Sequence, residues 1–281
     1  MTNTSNSDPL TVAGFGEEWA AFDQSDAPQA DLETQFAAYT SVFRWDLVGK
    51  DSVGFDMGCG SGRWAKLMAP KVGHLHCIDA SDKALLVARR NLAQLDNVSF
   101  HNVQVGDAPA QVGIGMMDFG MSLGVLHHVP DTNAGVKSCI QMLKIGAPFL
   151  LYLYYRFDNR PPWFRALWRL SEAGRWVICR LPFGLRNVVA STIAALVYWP
   201  LARTARVLEK MGGAVFNFPL AAYRHQGFYF MRTDALDRFG TRLEQRFTRK
   251  EMEEMLRDAG CGDIRFSDSV PFWCVSAVRE K

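Results

Sequence analysis

The amino-acid sequence predicts an α/β fold: a doubly wound, mostly parallel sheet of seven strands, with an antiparallel last strand and a helical insertion after strand 5. Apolar runs of strand length alternate with segments of helical periodicity over residues 52–155, as in a parallel sheet covered on both faces. The alternation stops after Tyr155 and resumes at residue 247, which indicates an insertion. A glycine-rich turn follows the first strand, where open α/β sheets bind their ligands.

Two helices are expected before the sheet, at residues 17–23 and 31–43, and both carry several aromatic residues. We interpret residues 1–48 as an N-terminal helical lid in which Trp19 and Tyr39 cover a ligand and exclude water. Packing of these aromatic side chains under the edge of the sheet is the alternative.

The core of the predicted sheet is residues 49–155. Right-handed crossovers place its helices on both faces of the sheet. Asp131 is expected to cap the helix that precedes the fifth strand. The predicted strands are 52–57, 74–79, 98–105, 117–126 and 147–155, and the predicted helices are 63–71, 82–95 and 131–144.

The core is expected to resume after the insertion, in residues 246–281. The helix 247–260 has Thr248 as its expected N-cap and ends at Gly260. Two adjacent strands, 262–269 and 271–278, follow it and are joined by a tight turn. Such a pair is antiparallel, because a parallel crossover needs a dozen or more residues.

Composition excludes several classes of protein. The net charge of +2 does not indicate a DNA-binding protein. The six cysteines form no CxxC pair and several lie in apolar runs, so we expect reduced cysteines and a cytoplasmic protein. Residues 1–9 have no signal-peptide pattern and are expected to be a frayed tail. No cluster of Asp, Glu and His has metal-ligand spacing, so no metal is expected.

The glycine turn lies in VGFDMGCGSGRWA, residues 53–65. Gly58, Gly60 and Gly62 let the backbone pass close to a ligand and adopt positive φ without a Cβ penalty. Residues 60–65 also fit the dinucleotide fingerprint, so an NAD(P)-dependent oxidoreductase is an alternative.

Carboxylates follow or end the first three strands. Asp56 precedes the glycine turn, where it can meet a positively charged ligand such as a sulfonium amino acid. Asp79 ends the second strand, where it can accept both hydroxyls of a ribose. Asp107 follows the third strand, where it can accept the exocyclic amine of an adenine, although it can also be a turn former.

The segments FDMGCGSG, CIDAS, GDAP and SLGVLHHVPD are similar to those of the class I S-adenosylmethionine-dependent methyltransferases, specifically the small-molecule type 11 group. The resemblance covers residues 50–155 and 245–280. It implies the class I methyltransferase fold, S-adenosylmethionine as cofactor and S-adenosylhomocysteine as product. The cofactor-binding residues that we predict, including the two lid residues, are Asp56, Gly58, Cys59, Gly60, Asp79, Ala80, Gly106, Asp107, Ala108, Leu123, Trp19 and Tyr39.

His127 and His128 directly follow the fourth strand and are the candidate catalytic residues. A neutral imidazole can take a proton from a hydroxyl or ammonium acceptor, and we place His127 slightly ahead. Alternatively, one histidine orients the loop by hydrogen bonding while the other packs against the insertion.

The insertion, residues 156–245, is expected to be a helical cap, rich in Arg and Trp, that determines acceptor specificity. A small-molecule acceptor is the favoured partner. A peripheral membrane contact through residues 160–202, RNA binding and a homodimer contact are the alternatives. The apolar run 188–202, interrupted by Pro200, is too short to span a bilayer, and we interpret it as a core helix.

The predicted function is methyl transfer from S-adenosylmethionine to an oxygen or nitrogen of a small molecule, such as a secondary metabolite or an envelope precursor. Methylation of a lipid-linked or RNA acceptor, NAD(P)-dependent oxidation and cofactor binding without catalysis are the alternatives. The candidate substrate-binding residues are Tyr154, Tyr223, Arg224, His225 and Tyr229.

Overall fold

The computed structural model describes residues 6–24 and 28–281. The chain divides into two compact units, one made of Met1–Arg156 and Leu243–Lys281 and the other of Phe157–Arg242. We refer to them as unit 1 and unit 2. The predicted frayed tail lies partly outside the described residues.

Unit 1 contains the alternating strands and helices. Its helices are α1 Pro9–Ala21, α2 Gln29–Tyr39, α3 Ala65–Met68, α4 Asp82–Asn91, α5 Ala108–Val112, α6 Thr132–Met142 and, after unit 2, α11 Arg249–Asp258. Its strands are β1 Val53–Met57, β2 His74–Asp79, β3 Val98–Asn102, β4 Phe119–Leu123, β5 Pro148–Tyr152, β6 Cys261–Phe266 and β7 Cys274–Arg279.

One sheet joins the seven described strands in the order β3-β2-β1-β4-β5-β7-β6. Strands β1 to β5 are parallel, whereas β7 runs antiparallel to both β5 and β6. The predicted fold class is therefore confirmed. The strand order reverses between β1 and β4, so the carboxyl ends of β1 and β4 flank the topological switch point where such sheets bind ligands.

Strands β1 and β4 interlock through two glycine–phenylalanine pairs. Gly54 is paired with Phe119 and Phe55 with Gly120 in the parallel register. A Cβ atom at Gly54 would overlap the Phe119 ring, and one at Gly120 would overlap the Phe55 ring. Since neighbouring residues point to opposite faces, the two rings lock the strands together once on each side of the sheet.

The predicted helix caps are present. The Asp131 carboxylate accepts the Ala134 N–H at 2.9 Å and starts α6. Thr248 and Glu251 form a capping box at the start of α11. The helix ends before Gly260, whose φ of +88° suits glycine.

Several boundaries differ from the predictions, and α5 was not predicted. Helix α1 begins at Pro9 rather than at residue 17, because Asp8 caps it and accepts the Leu10 N–H. Asn6 is also held by a hydrogen bond, since its side-chain amide donates to the Asp131 carbonyl at 2.7 Å. The predicted frayed tail is therefore wrong for residues 6–9. Between β6 and β7 the chain uses residues 267–273 rather than a tight turn.

Unit 2 is helical. Its helices are α7 Pro162–Ile178, α8 Phe183–Ile193, α9 Trp199–Lys210 and α10 Phe228–Gly240. A π-helical turn, Ala194–Tyr198, joins α8 to α9 without a break.

The joined helix Phe183–Lys210 is 28 residues long, and within the described residues it is the one helix apolar and long enough to cross a membrane by composition and length. The prediction that the apolar run is too short to span a bilayer is therefore wrong as to length, because the helix extends on both sides of residues 188–202 and continues through Pro200. The π turn lets the Trp199 N–H donate to the Ala194 carbonyl, five residues back, and Pro200, which has no N–H to donate, follows directly after this turn.

The joined helix is not the core helix that we expected, because only 28% of its apolar window is buried. Its buried positions are mostly alanines. Ala194, Tyr198 and Ala202 pack with Met231 and Ala235 of α10 in a small core inside unit 2.

Candidate functional site

The glycine turn after β1 has the backbone conformation that its sequence predicts. Gly58, Gly60 and Gly62 have φ values of +78°, +56° and +79°. A Cβ at Gly58 would overlap the Val125 side chain, and a Cβ at Gly60 would lie 2.9 Å from the Trp19 ring. The turn is therefore accessible only to glycine at both positions.

Gly62 has a packing role. An added Cβ would lie 2.9 Å from the Leu92 side chain at the end of α4. Close packing of α4 against the turn therefore also requires glycine at this position.

Asp79 holds the glycine turn to the end of β2. Its Oδ2 accepts the Gly60 N–H at 2.9 Å and its Oδ1 accepts the Ser81 N–H at 2.8 Å. Burial raises the pKa of this carboxyl group, while the two N–H donors oppose the rise. A carboxylate has about four acceptor positions, so Asp79 retains capacity for the hydroxyls of a ribose.

Asp56 is a buried carboxyl group, 1% exposed, at the end of β1. Its Oδ2 atom has no hydrogen-bonding partner among the described residues. Burial, and then the nearby Asp79, raise the pKa of Asp56 to about 7. A buried acceptor of this kind is costly unless a donor or cation meets it.

Two further buried polar atoms near these strands lack a described partner, and the sequence did not single them out. They are Ser61 Oγ within the glycine turn and Gln104 Oε1 after β3. Ser and Gln are common in loops, so only their burial identifies these atoms as candidate ligand contacts.

The other predicted cofactor residues lie at the carboxyl ends of neighbouring strands. Ala80 follows β2, Gly106 and Asp107 precede α5, Ala108 begins it, and Leu123 ends β4. Ala108 and Leu123 are buried, whereas the other three are partly exposed. Parallel strands bring these positions to one edge of the sheet.

Cys59 takes part through its backbone. Its N–H donates to the Ile78 carbonyl at 3.1 Å. A hydrogen bond with Cys77, and then burial, hold the pKa of the Cys59 thiol well above its ordinary value. The thiol therefore stays protonated and is not a nucleophile.

The two lid residues lie beside the glycine turn. The Trp19 ring faces Gly60, and the Arg63 guanidinium lies 5.4 Å from the centre of the same ring. Tyr39 contacts Trp64, with ring centres 5.3 Å apart, and Tyr152, at 5.0 Å. Trp19 therefore packs against the turn itself, whereas Tyr39 contacts residues that follow the turn and end β5.

His127 and His128 lie on the short helical turn after β4, and both are buried. His127 Nδ1 accepts the Tyr154 N–H at 3.4 Å, so in its neutral form the proton is on Nε2. Burial, and then the nearby His128, hold the pKa of His127 well below its ordinary value.

His128 has the opposite tautomer. Its Nδ1 lies 2.7 Å from the Leu243 carbonyl oxygen and must donate to it. In the neutral ring the lone pair is therefore on Nε2. The ring also contacts Phe15 of α1, with ring centres 4.8 Å apart.

Residues 243–247, which sequence analysis did not assign to the site, hold the histidine loop in place. The Gln245 N–H donates to the His127 carbonyl at 2.9 Å, and the Gln245 side chain donates to the Val129 carbonyl at 2.7 Å. The Arg246 guanidinium lies 5.1 Å from the centre of the Tyr154 ring. No local sequence signal links these residues to a loop more than 100 positions earlier.

The predicted substrate residues fall in both units. Tyr154 lies in unit 1, stacked on His127 with ring centres 3.8 Å apart. Tyr223, Arg224, His225 and Tyr229 lie in unit 2. Arg224 and His225 both contact the Glu209 carboxylate, each at 2.8 Å, so Glu209 occupies a polar end of both side chains.

Comparison with known proteins places this site in a family. Residues 55–149 match the methyltransferase domain family. The ubiquinone biosynthesis O-methyltransferase of Nitrosomonas europaea is 32% identical over 217 residues, which cover 75% of this chain and 88% of that protein. The Aromatoleum aromaticum protein of the same name is 36% identical over 135 residues, 48% of this chain.

Coverage of the relatives is uneven. The chain spans only 55% of the length of the Aromatoleum aromaticum protein and 63% of a ubiquinone biosynthesis O-methyltransferase of Albidiferax ferrireducens, which is 28% identical. The shared region thus establishes the family, whereas the activity of the whole protein is inferred below.

Solved structures share the fold. Human N-acetylserotonin methyltransferase in complex with SAM has a TM-score of 0.54 and 14% identity, over 95% of this chain and 57% of that chain. A chain from the complex of the Haloferax volcanii Trm112 methyltransferase activator with a methyltransferase has a TM-score of 0.53 and 14% identity, over 95% and 98% of the two chains.

The sheet order and the glycine turn define a Rossmann-like domain that binds a nucleoside ligand. The chain belongs to the class I S-adenosylmethionine-dependent methyltransferases. This membership confirms the predicted family and decides against the NAD(P)-dependent oxidoreductase that residues 60–65 had left open.

Proposed function

We propose that this protein transfers the methyl group of S-adenosylmethionine to a hydroxyl oxygen of a small-molecule acceptor and releases S-adenosylhomocysteine. The observation that carries the proposal is the buried Asp56 carboxyl group beside a turn that requires glycine. Its Oδ2 atom has no hydrogen-bonding partner in the part of the chain that the structure describes. A cationic ligand at the turn stabilises such a carboxylate.

The residues present fit the cofactor. Asp79 would accept the ribose hydroxyls, Asp56 would pair with the cationic amino-acid portion, and Asp107 would accept the adenine amine. The glycine turn supplies backbone N–H groups without side chains in the way. When bound, the cofactor would supply an activated methyl group, whose carbon is open to in-line displacement by the acceptor oxygen with the thioether sulfur as leaving group.

The chain then has two tasks, to position the acceptor oxygen and to take its proton. Holding the reactants in line is the larger contribution, because the donor is already activated. We assign the proton to His128 Nε2, since its Nδ1–H is fixed by the Leu243 carbonyl. His127 cannot accept a proton at Nδ1 without losing the Tyr154 N–H.

An oxygen acceptor with an aromatic ring is the class that we favour. The relatives described above are O-methyltransferases by name. In unit 1, Tyr39, Tyr152 and Tyr154 form a chain of aromatic contacts that reaches His127. Flat apolar rings prefer such surroundings.

Isothermal titration with S-adenosylhomocysteine tests the cofactor assignment. We expect the wild type to bind at micromolar concentration and Asp79→Asn to bind at least ~10-fold more weakly, because charge-assisted hydrogen bonds to the ribose are lost. Asp118→Asn is the matched control. Its carboxylate bonds Val53 and Lys144 at the start of β4, away from the carboxyl ends, so affinity should be unchanged.

Methyl transfer is tested by incubating the protein with isotopically labelled S-adenosylmethionine and a metabolite extract. Mass spectrometry should find label on the oxygen of a small molecule. Equal affinity of wild type and Asp79→Asn would refute the cofactor assignment. Label found only on nitrogen, or on no small molecule despite intact cofactor binding, would refute the acceptor class or the catalytic role.

A further inference from the structure

The joined helix Phe183–Lys210 of unit 2 buries small residues and exposes large ones. Its inward positions include Ala190, Ala194 and Ala202, all fully buried. Its outward positions include Leu196, which is 73% exposed, and Val188, which is 62% exposed. Soluble helices normally show the reverse pattern, because large apolar side chains gain most from burial.

Helix α7 has the same property. None of its 17 residues is buried. An apolar stripe runs along its outer surface, because the spacing of three, four and seven residues places its members on one helical face. The members of this stripe are Trp163, Leu167, Leu170 and Val177, all exposed.

Unit 2 concentrates the exposed apolar surface of the chain. Fourteen of the 21 exposed large hydrophobic side chains among the described residues lie within 157–242. Scattered exposed apolar residues are normal, whereas a concentration of this size marks a binding surface.

Unit 2 is also strongly basic. Residues 157–242 contain 13 Lys or Arg and five Asp or Glu, a net charge of +8, so the rest of the chain carries −6. Arg165, Arg169 and Arg206 are exposed, and the described residues form no ion pair with them. The positive charge is therefore available to an external anionic partner.

Exposed indoles on these helices carry stacked guanidinium groups. The Arg180 guanidinium lies 4.0 Å from the centre of the Trp176 ring, and that of Arg203 lies 3.9 Å from Trp199. Both pairs have i, i+4 spacing. Tryptophan favours the boundary between acyl chains and headgroups, and the exposed Arg180 can bind a lipid phosphate. Arg203 donates to the Arg224 and Gln226 carbonyls and so holds the Trp199 indole in place.

We propose that the outer face of α7 and of the joined helix, which we call the Trp/Arg face, binds the surface of a bilayer that contains anionic phospholipid. Apolar side chains enter the acyl boundary and arginines contact the lipid phosphates. This inference stands on unit 2 alone and does not require the proposed methyl transfer.

The helices lie on the bilayer rather than crossing it. The inner face of the joined helix packs against Met231 and Ala235 of α10, mostly through alanine side chains, which offer little apolar surface to acyl chains. A spanning helix would have to leave this core. Two copies meeting through the Trp/Arg face would bring together like charges, and RNA offers no partner for exposed Leu and Val side chains.

Vesicle co-sedimentation of the full chain tests the proposal. We expect binding to vesicles of phosphatidylglycerol and phosphatidylcholine, at least ~10-fold weaker binding to phosphatidylcholine alone, and weakening in 0.5 M salt as charges are screened. Extraction at alkaline pH should release the protein, as expected for a surface contact.

Matched double variants separate this surface from general stickiness. Leu170→Ser/Leu196→Ser removes two apolar side chains of the Trp/Arg face and should reduce vesicle binding at least ~10-fold. Ile114→Ser/Ile145→Ser removes two equally exposed side chains of unit 1 and should leave binding unchanged. Arg165→Glu/Arg169→Glu should weaken binding to anionic vesicles, whereas Lys50→Glu/Lys137→Glu should not.

Several results would overturn the proposal. They are equal binding of the first and second serine variants, no preference for anionic vesicles, and retention after alkaline extraction, which would indicate a spanning helix. A dimer by light scattering that Leu170→Ser/Leu196→Ser dissociates would indicate a second copy as the partner. Circular dichroism and S-adenosylhomocysteine affinity confirm that each variant is folded.

Discussion

His127 and His128 are adjacent in sequence, yet their Nδ1 atoms play opposite roles. His127 Nδ1 accepts a hydrogen bond from the Tyr154 N–H, whereas His128 Nδ1 donates one to the Leu243 carbonyl. In the neutral rings, Nε2 of His127 therefore carries the proton and is a donor, whereas Nε2 of His128 carries the lone pair and is an acceptor.

This difference predicts unequal effects of substitution on catalysis. His128→Asn should lower kcat by ~100-fold or more at pH 7, with partial recovery at high pH as the acceptor ionises by itself. His127→Asn should lower kcat by less than ~10-fold. The measurement is a pH–rate profile for each variant with the labelled donor. S-adenosylhomocysteine affinity within twofold of wild type is the control, and a larger loss in His127→Asn would contradict the assignment.

Asp56 predicts a pH-dependent cofactor affinity. Its pKa of about 7 in the free protein means that it must lose a proton before it can pair with a cationic ligand. Affinity for S-adenosylmethionine should therefore fall as pH decreases from 8 to 6, by up to ~10-fold per pH unit below 7. Calorimetry in buffers of different ionisation enthalpy measures the released proton. Asp56→Asn should bind more weakly and without this pH dependence.

Replacement of Gly58 should lower the free energy of unfolding through both backbone strain and steric overlap. In Gly58→Ala the new Cβ would overlap Val125 at a φ of +78°, and we expect a loss of ~1–3 kcal/mol in the free energy of unfolding and weaker cofactor binding. Gly146→Ala is the control, since its φ is +83° but no atom lies within 4 Å of the added Cβ. It should cost ~1 kcal/mol and leave affinity unchanged. Urea denaturation and titration with S-adenosylhomocysteine distinguish the two.

His76 predicts a loss of stability in acid. Burial, then the nearby His101 and His74, lower its pKa to about 4 in the folded protein. The unfolded chain binds this proton below its ordinary pKa of about 6.5, whereas the folded chain does so only below about 4. The free energy of unfolding should therefore fall as pH decreases from 6.5 to 4, by less than ~1.4 kcal/mol per pH unit. Urea denaturation at pH 7.5, 6 and 5 measures the slope, which should flatten in His76→Asn.

The sheet and the glycine turn were predictable because their signals are local. Strand and helix periodicities alternate in the sequence, and Asp131 and Thr248 mark helix starts by short-range capping. The antiparallel direction of the last strand followed from the short connection between the last two strands, which leaves no room for a parallel crossover. These features depend on neighbours within a few residues.

The features that were missed depend on distant contacts or on burial. Gln245 and Arg246 reach the histidine loop and Tyr154 only after the chain has passed through unit 2. Ser61 Oγ and Gln104 Oε1, for which residues 6–24 and 28–281 supply no hydrogen-bonding partner, become informative only once the fold buries them. The helix that continues past Pro200 requires a π turn, which the apolar pattern of the sequence does not encode.

The interlocked pairs between β1 and β4 have a consequence for how this sequence can diverge. Gly54 cannot gain a side chain while Phe119 keeps its ring, and the Phe55 ring excludes a side chain at Gly120 for the same steric reason. Each pair can change only if both residues are replaced together, with a smaller residue in place of phenylalanine and a larger one in place of glycine. We therefore expect Gly54→Ala to be rescued by Phe119→Leu but not by Phe55→Leu, a compensation that a double-mutant cycle would detect.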